Sequence, residues 1–177
     1  MIATSRTLVE RDTAAPPDVQ PCIDAIRRIV RGLRLAEQAT RSDAGLSAAQ
    51  LFVLQQLAGQ PPASLGELAT RTLTDRSSVA GVVERLVDAG LVATERDASD
   101  RRRVLVRLTR AGRSVQRAAP PAPTMLLVDA LRRFPASERR VLATGLQRLV
   151  HEMGLEAEPA TMLFEDQPSG GGRGGRG

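Results

Sequence analysis

The sequence has few of the side chains on which metal binding, disulfide formation and most nucleophilic catalysis depend. Its 177 residues include one cysteine, Cys22, and one histidine, His151. A single cysteine excludes an intramolecular disulfide and a Cys-x-x-Cys metal site, and a single histidine argues against a histidine-ligated metal centre or a catalytic triad. We also find no phosphate-cradling glycine loop. We therefore expect no cofactor, no metal and no enzymatic activity.

Aromatic residues and lysine are also scarce. The chain has three phenylalanines but no tyrosine and no tryptophan. Proteins that bind single-stranded nucleic acids usually stack the bases on aromatic rings, so duplex DNA is the better nucleic-acid partner. Because lysine is absent, all 25 basic residues are arginine, and the formal net charge is +5. The planar guanidinium group pairs with a phosphate or a guanine edge through two parallel hydrogen bonds.

Long hydrophobic runs are missing as well. No apolar stretch approaches the roughly 18 residues that suggest a membrane-spanning helix, and we see no secretory signal. We therefore expect a cytoplasmic, nucleoid-associated protein that does not bind membranes. An apolar content of 42% is enough for one domain with an aliphatic core.

The most informative segment is a predicted hairpin with a cationic tip. Two strand-like runs, residues 91–94 and 104–109, flank a loop with four arginines: Arg96, Arg101, Arg102 and Arg103. Between residues 99 and 117, seven arginines accompany one acidic residue, Asp100. A hairpin tip of this charge suits a polyanion better than a small substrate.

Just upstream, capping signals and periodicity predict a helix–turn–helix. Ser-x-x-Gln and Ser-x-x-Glu capping boxes, beginning at Ser47 and Ser64, open two helices. A third helix is predicted over residues 75–89, with an apolar face at helical spacing and a stop at Gly90. Such a helix lies in the major groove when the motif binds DNA. Its polar side offers Arg76, Ser77, Ser78 and Arg85.

Helices are also predicted on both sides of this region. An amphipathic helix covers residues 19–40, and another begins at the N-cap Thr109 and is broken by prolines between residues 120 and 123. Helix resumes around residues 124–133, and the last helix follows Pro135. Residues 1–18 are predicted to be a flexible arm. Residues 156–177 lose helical periodicity, so we predict a flexible tail that ends in glycine and arginine.

This order of elements resembles the MarR family of transcriptional regulators. The resemblance covers residues 19–154 and is most specific from Gly90 to Gly112, with its Gly-Leu-Val strand, Asp-x-x-Asp-Arg-Arg loop and Leu-Thr-x-x-Gly sequence. It implies a mostly α fold with a small β-hairpin wing, assembled as a homodimer. Residues 46–109 would be the winged-helix DNA-binding domain, and residues 19–45 and 110–155 the dimerisation helices.

The resemblance also implies a function. The chain would be a sequence-specific regulator that binds a pseudo-palindromic site in double-stranded DNA, a repressor released by a small hydrophobic or amphipathic effector. Asp100, two residues before Arg102, would orient the Arg102 guanidinium by a charge-assisted bond, and Arg102 would enter the minor groove. One departure is Thr94, which stands where the family commonly has arginine, and we expect Arg96 or Arg103 to compensate. The predicted DNA-binding residues are Arg76, Ser77, Ser78, Arg85, Asp100, Arg101 and Arg102.

Other functions stay open at this point. Cys22 lies in the first helix, where a reactive thiol would make the protein a redox-sensing regulator. No tyrosine is present to bond the thiolate, and a small buried filler at the dimer seam is the simpler interpretation. A winged helix also serves as a protein–protein interaction module, and a third alternative is an architectural protein that binds DNA without regard to sequence.

Overall fold

The structure is a computed structural model that describes residues 15–165. It is mostly α-helical with one small sheet, as predicted, and the three strands lie in the antiparallel order β1-β3-β2. Within the described residues, no helix is long and apolar enough to cross a lipid bilayer. The elements in chain order are α1 (Val19–Ala44), α2 (Ala48–Leu57), β1 (Ala63–Ser64), α3 (Leu65–Thr72), α4 (Arg76–Asp88), β2 (Val92–Arg96), β3 (Val104–Leu108), α5 (Arg110–Ala118), α6 (Pro123–Arg132) and α7 (Ala136–Glu152).

Both predicted capping boxes are present. At the start of α2, the Ser47 hydroxyl accepts the Gln50 N–H at 3.3 Å, and the Gln50 side chain accepts the Ser47 N–H at 2.9 Å. At the start of α3, Ser64 and Glu67 bond each other in the same way. These reciprocal bonds satisfy N–H groups that a helix start leaves without partners, so local sequence fixes where both helices begin.

The core lies between α2, α3, α4 and the sheet. The predicted apolar face of α4 is buried against this core at Val79, Val82, Val83 and Leu86. Gly90 adopts a φ of +67° and ends α4, as its position after the apolar face predicted. The strand β1 was not predicted: it consists of Ala63 and Ser64, which pair with Val106 and Leu105 of β3. Two residues are too few to show the alternating pattern of a strand.

The predicted proline break separates α5 from α6 and is held in place. The Gln55 side chain donates to the Pro120 carbonyl at 2.8 Å and accepts the Ala122 N–H at 2.9 Å. Ala122 is buried against Leu51 and Phe52 of α2. The break is therefore a defined corner packed on the winged helix.

Thr109 and Gly112 join the wing to α5. The Thr109 hydroxyl donates to the Gly90 carbonyl at 2.8 Å and accepts the Gly112 N–H at 3.0 Å, which caps α5. A Cβ atom on Gly112 would lie 2.0 Å from the Leu91 carbonyl oxygen. The Leu-Thr-x-x-Gly sequence therefore supplies a cap at threonine and a close backbone approach at glycine.

Replacing Gly112 with alanine should lower the free energy of unfolding by about 2–3 kcal/mol, because the new methyl group meets backbone that cannot rotate away. Chemical denaturation followed by circular dichroism measures this change. Gly66→Ala is the matched control, since no atom lies within 4 Å of its added Cβ. A Gly112→Ala protein as stable as the control would contradict the close approach.

Candidate nucleic-acid interface

The recognition helix α4 begins at an N-cap aspartate. The Asp75 carboxylate accepts the Ser78 N–H at 2.9 Å and the Ser77 hydroxyl at 2.5 Å. Both bonds hold the pKa of Asp75 below its ordinary value, and the Ser77 hydroxyl contributes more than the Ser78 N–H. The carboxylate therefore stays ionised at neutral pH and fixes the first turn of α4.

The structure separates the four predicted DNA-binding residues of α4 into two pairs. Arg76 and Ser77 are exposed, and the Arg76 guanidinium forms no hydrogen bond or ion pair within residues 15–165. Ser78 is only 5% exposed, and the Arg85 side chain is 30% exposed. The second pair is covered by a segment from the C-terminal part of the chain.

This covering segment corrects the prediction of a flexible tail from residue 156. Residues 160–165, which we call the strap, lie against α4. The Met162 side chain enters the winged-helix core and is 7% exposed, and its N–H donates to the Ser78 hydroxyl at 3.2 Å. That hydroxyl donates in turn to the Glu165 carboxylate. The remainder of the predicted tail, residues 166–177, and most of the predicted arm, residues 1–14, lie outside the described residues.

Periodicity does not reveal the strap because the segment is irregular and its contacts with α4 and the preceding turn join residues at least 80 positions apart. One local signal was available. Met162, Leu163 and Phe164 form a short apolar run in an otherwise polar tail, directly before Glu165. Such a run suggests an anchor followed by an anion.

The wing tip is shaped by its two aspartates. Asp97 accepts the Ser99 hydroxyl at 2.7 Å and the Ser99 N–H at 2.8 Å, and these bonds lower the pKa of Asp97. Asp100 accepts the Arg102 backbone N–H at 3.0 Å. The expectation that Asp100 orients the Arg102 guanidinium is therefore wrong in its details, because the carboxylate bonds the backbone and closes the turn. Asp100 positions Arg102 only through the backbone of the loop.

The arginines of the wing fall into two groups. The side chains of Arg101 and Arg102 form no hydrogen bond or ion pair inside the described part of the chain and are exposed. Arg103 is 3.4 Å from a Glu67 oxygen and 4.0 Å from an Asp97 oxygen, while Arg96 donates to the Arg101 carbonyl at 3.0 Å. The two arginines expected to compensate for Thr94 are thus engaged within the protein.

The wing and the recognition helix share one cationic cleft. Arg76 from the start of α4, Arg102 and Arg103 from the wing and the first residues of α3 all line it. The complete lining is Ser64, Leu65, Gly66, Arg76, Arg102, Arg103 and Val104. Glu67 borders this region. The Ser64 N–H lowers the pKa of the Glu67 carboxyl group most, and the Ser64 hydroxyl lowers it further. Three guanidinium groups around one cleft are suited to a phosphate backbone.

Cys22 lies exposed on the first turn of α1. Arg27, a basic residue five positions further along α1, is paired with Asp24 at 3.1 Å. Inside the part of the chain that the structure describes, no hydrogen-bond donor is placed on the thiol. Cys22 is exposed in the single chain, so its burial at a dimer seam stays a prediction, and the geometry offers no support for a redox site.

The helices α1 and α7 expose large apolar side chains. None of the residues of α7 is buried, and Val141, Leu146 and Met153 are 74%, 50% and 61% exposed. On α1, the predicted apolar stripe is also left partly open at Ile23, Ile26 and Val30. Exposed large apolar side chains in such number are typical of a protein–protein interface.

A helix–turn–helix followed by a cationic hairpin defines a winged-helix DNA-binding protein. Comparison with known proteins gives the family: a model described as the MarR family matches residues 44–103. The chain belongs to the MarR family of transcriptional regulators, as the match of 31% identity to one of its solved relatives also indicates.

Three relatives are informative. The chain is 29% identical to the HTH-type transcriptional repressor NicR of Pseudomonas putida over 145 residues, or 78% of this chain and 91% of NicR. It is 31% identical to BpsR of Bordetella bronchiseptica, whose DNA binding is regulated by 6-hydroxynicotinic acid, with 73% of this chain and 98% of BpsR covered and a TM-score of 0.50. The regulator PcaV of Streptomyces coelicolor, solved with its natural ligand, is 27% identical, with 79% and 98% covered and a TM-score of 0.53.

Proposed function

We propose that the chain is a sequence-specific repressor that binds double-stranded DNA through α4 and the wing. The observation that carries the proposal is the cleft that Arg76 of α4 lines together with Arg102 and Arg103 of the wing. Arg101 and Arg102 project from the wing tip and are available to the minor groove, where the potential is most negative when the groove is narrow. Ser77 and Ser78 lie at the start of α4, where a recognition helix contacts base edges. No catalytic role is proposed.

We propose that the active unit is a homodimer assembled through α1 and α5–α7. The exposed apolar residues of α1 and α7 support this assembly, because a partner chain would bury them. Residues 46–109 of each protomer then form one reading head. A two-fold axis relates the two heads, so the operator is expected to be pseudo-palindromic, with half-site centres about 34–36 Å apart.

We propose further that a small hydrophobic or amphipathic effector releases the repressor from DNA. BpsR and PcaV each respond to or bind a small molecule, which supports the proposal. An effector acts by binding one conformation of the dimer, with one spacing of its reading heads, more tightly than another. This difference in affinity shifts the population toward the conformation that it binds. Because BpsR is the relative with the highest identity given above, 6-hydroxynicotinic acid is the first compound to titrate against the complex. Such a repressor acts in the cytoplasm, at the nucleoid.

Selection of bound sequences from random duplexes should enrich a pseudo-palindrome, because each reading head contacts one half-site. In fluorescence anisotropy, the selected duplex should bind about 10³-fold or more tightly than random duplex at moderate salt. Equal competition by random duplex would instead indicate an architectural DNA-binding protein. Failure to retain any duplex at low salt, together with a co-purifying protein partner, would indicate an interaction module.

A further inference from the structure

The strap occupies the part of α4 that the proposed function assigns to DNA. Glu165 accepts the Ser78 hydroxyl, and one of its oxygens lies 3.5 Å from the Arg85 guanidinium. Thr74, in the turn before α4, donates to the Ala160 carbonyl at 3.4 Å. The strap therefore runs along one face of α4, from the turn before the helix to the position of Arg85.

The strap presents to α4 the same kind of chemical group that DNA would present. A carboxylate presents two acceptor oxygens and a negative charge to a hydroxyl and a guanidinium, the same groups that bind a phosphate or a guanine edge. Met162 holds this carboxylate in place because its side chain is buried in the core cluster next to α4. The strap is therefore held to α4 by an apolar anchor, Met162, and by an anion three residues later, Glu165.

We propose that the strap is an intramolecular competitor of DNA for the recognition helix. This inference rests on the proposed function, since it requires that α4 binds DNA. Ser78 and Arg85 bond either Glu165 or the duplex, so the strap must leave α4 before the helix enters the major groove. The apparent affinity for DNA is then reduced by the fraction of chains in which α4 is uncovered.

The tether makes a modest contact sufficient for this role. Helix α7 ends at Glu152, so seven residues, 153–159, connect it to the strap. A short connection keeps the strap at an effective concentration near the millimolar range, so even weak bonds keep it closed for much of the time. The Arg85–Glu165 pair is partly exposed, with side-chain exposures of 30% and 16%, so duplex phosphates can compete with it.

Hydrogen exchange on the unmodified full-length protein tests the displacement directly. The Met162 N–H is buried and bonded to Ser78, so it should exchange slowly in the free protein. Saturation with the selected duplex should speed exchange in the peptide containing Met162, while core peptides of α2 become no faster. Unchanged or slower exchange at Met162 in the DNA complex would overturn the proposal.

Two variants test the competition. Glu165→Gln keeps the shape of the side chain but removes its charge, and it should tighten binding to the selected duplex by about three- to tenfold. Glu158→Gln is the matched control, because it removes the same charge at an exposed residue of the connection between α7 and the strap. The difference between the two variants therefore excludes the general effect of a less acidic chain.

The outcomes separate the two proposals. If wild type binds the selected duplex but Glu165→Gln and Glu158→Gln bind it equally well, the strap is not a competitor and the proposed function stands. If neither the wild type nor Glu165→Gln binds any duplex, the proposed function fails, and competition with DNA fails with it. Tighter binding by Glu165→Gln alone, with faster exchange at Met162 on DNA, supports both.

Discussion

Replacing Arg102 with alanine should weaken binding to the selected duplex by at least about tenfold, with little change in stability. The Arg102 side chain is exposed and has no partner in residues 15–165, so its removal leaves no buried group unsatisfied. A guanidinium that contacts DNA contributes about 1–3 kcal/mol, and a dimer presents two of them. Each positive charge lost beside the phosphates also reduces the magnitude of the negative slope of log K against log salt by about one unit, so a dimer should lose about two.

Anisotropy titrations at several salt concentrations measure both quantities. Arg133→Ala is the matched control, because it removes the same charge at an exposed residue after α6, away from the wing. Its salt slope should match that of the wild type. If Arg102→Ala kept the affinity and slope of the control, the wing would have no part in DNA binding, and the interface would reduce to α4 alone.

Much of the wing that carries Arg102 is predictable from the sequence. The hairpin, its cationic tip, the end of α4 and the start of α5 follow from local signals such as Gly90 and Thr109. Each of these residues acts within a few positions of its own place in the chain, and therefore a single sequence reveals it. The Asp100 contact was misassigned because spacing alone does not distinguish a bond to the Arg102 backbone from a bond to its side chain.

The strap and β1 depend on a different kind of information. Ala63 pairs with Val106, and Met162 packs beside α4, so both contacts join distant parts of the chain. Neither segment has the length for periodicity to appear, and an irregular segment has none. Their positions follow from the shape of the folded core, which a pattern of residue types does not contain. The apolar run before Glu165 marks the segment in the sequence, but its position over Ser78 and Arg85 does not follow from that run.

The exposed face of α7 carries a regular apolar stripe. Leu142, Leu146, Leu149 and Met153 recur at spacings of four, three and four residues, which places them on one stripe of the helix. They are 37%, 50%, 41% and 61% exposed in the single chain. An isolated helix of this length is marginal in water, so α7 needs a partner surface to be stable.

Leu146→Glu should convert the protein from a dimer to a monomer and weaken operator binding by about 10²-fold or more. Burying a charge without a partner in an apolar interface is costly, and a monomer also loses the second reading head, which binds at a high effective concentration once the first is bound. Analytical ultracentrifugation measures the mass, and anisotropy measures the affinity. Gln147→Glu is the matched control, because it adds the same charge at the neighbouring exposed residue, off the apolar stripe. A Leu146→Glu protein that stayed dimeric would move the interface away from α7, whereas a monomer with undiminished affinity would show that one winged helix suffices and that the operator needs no second half-site.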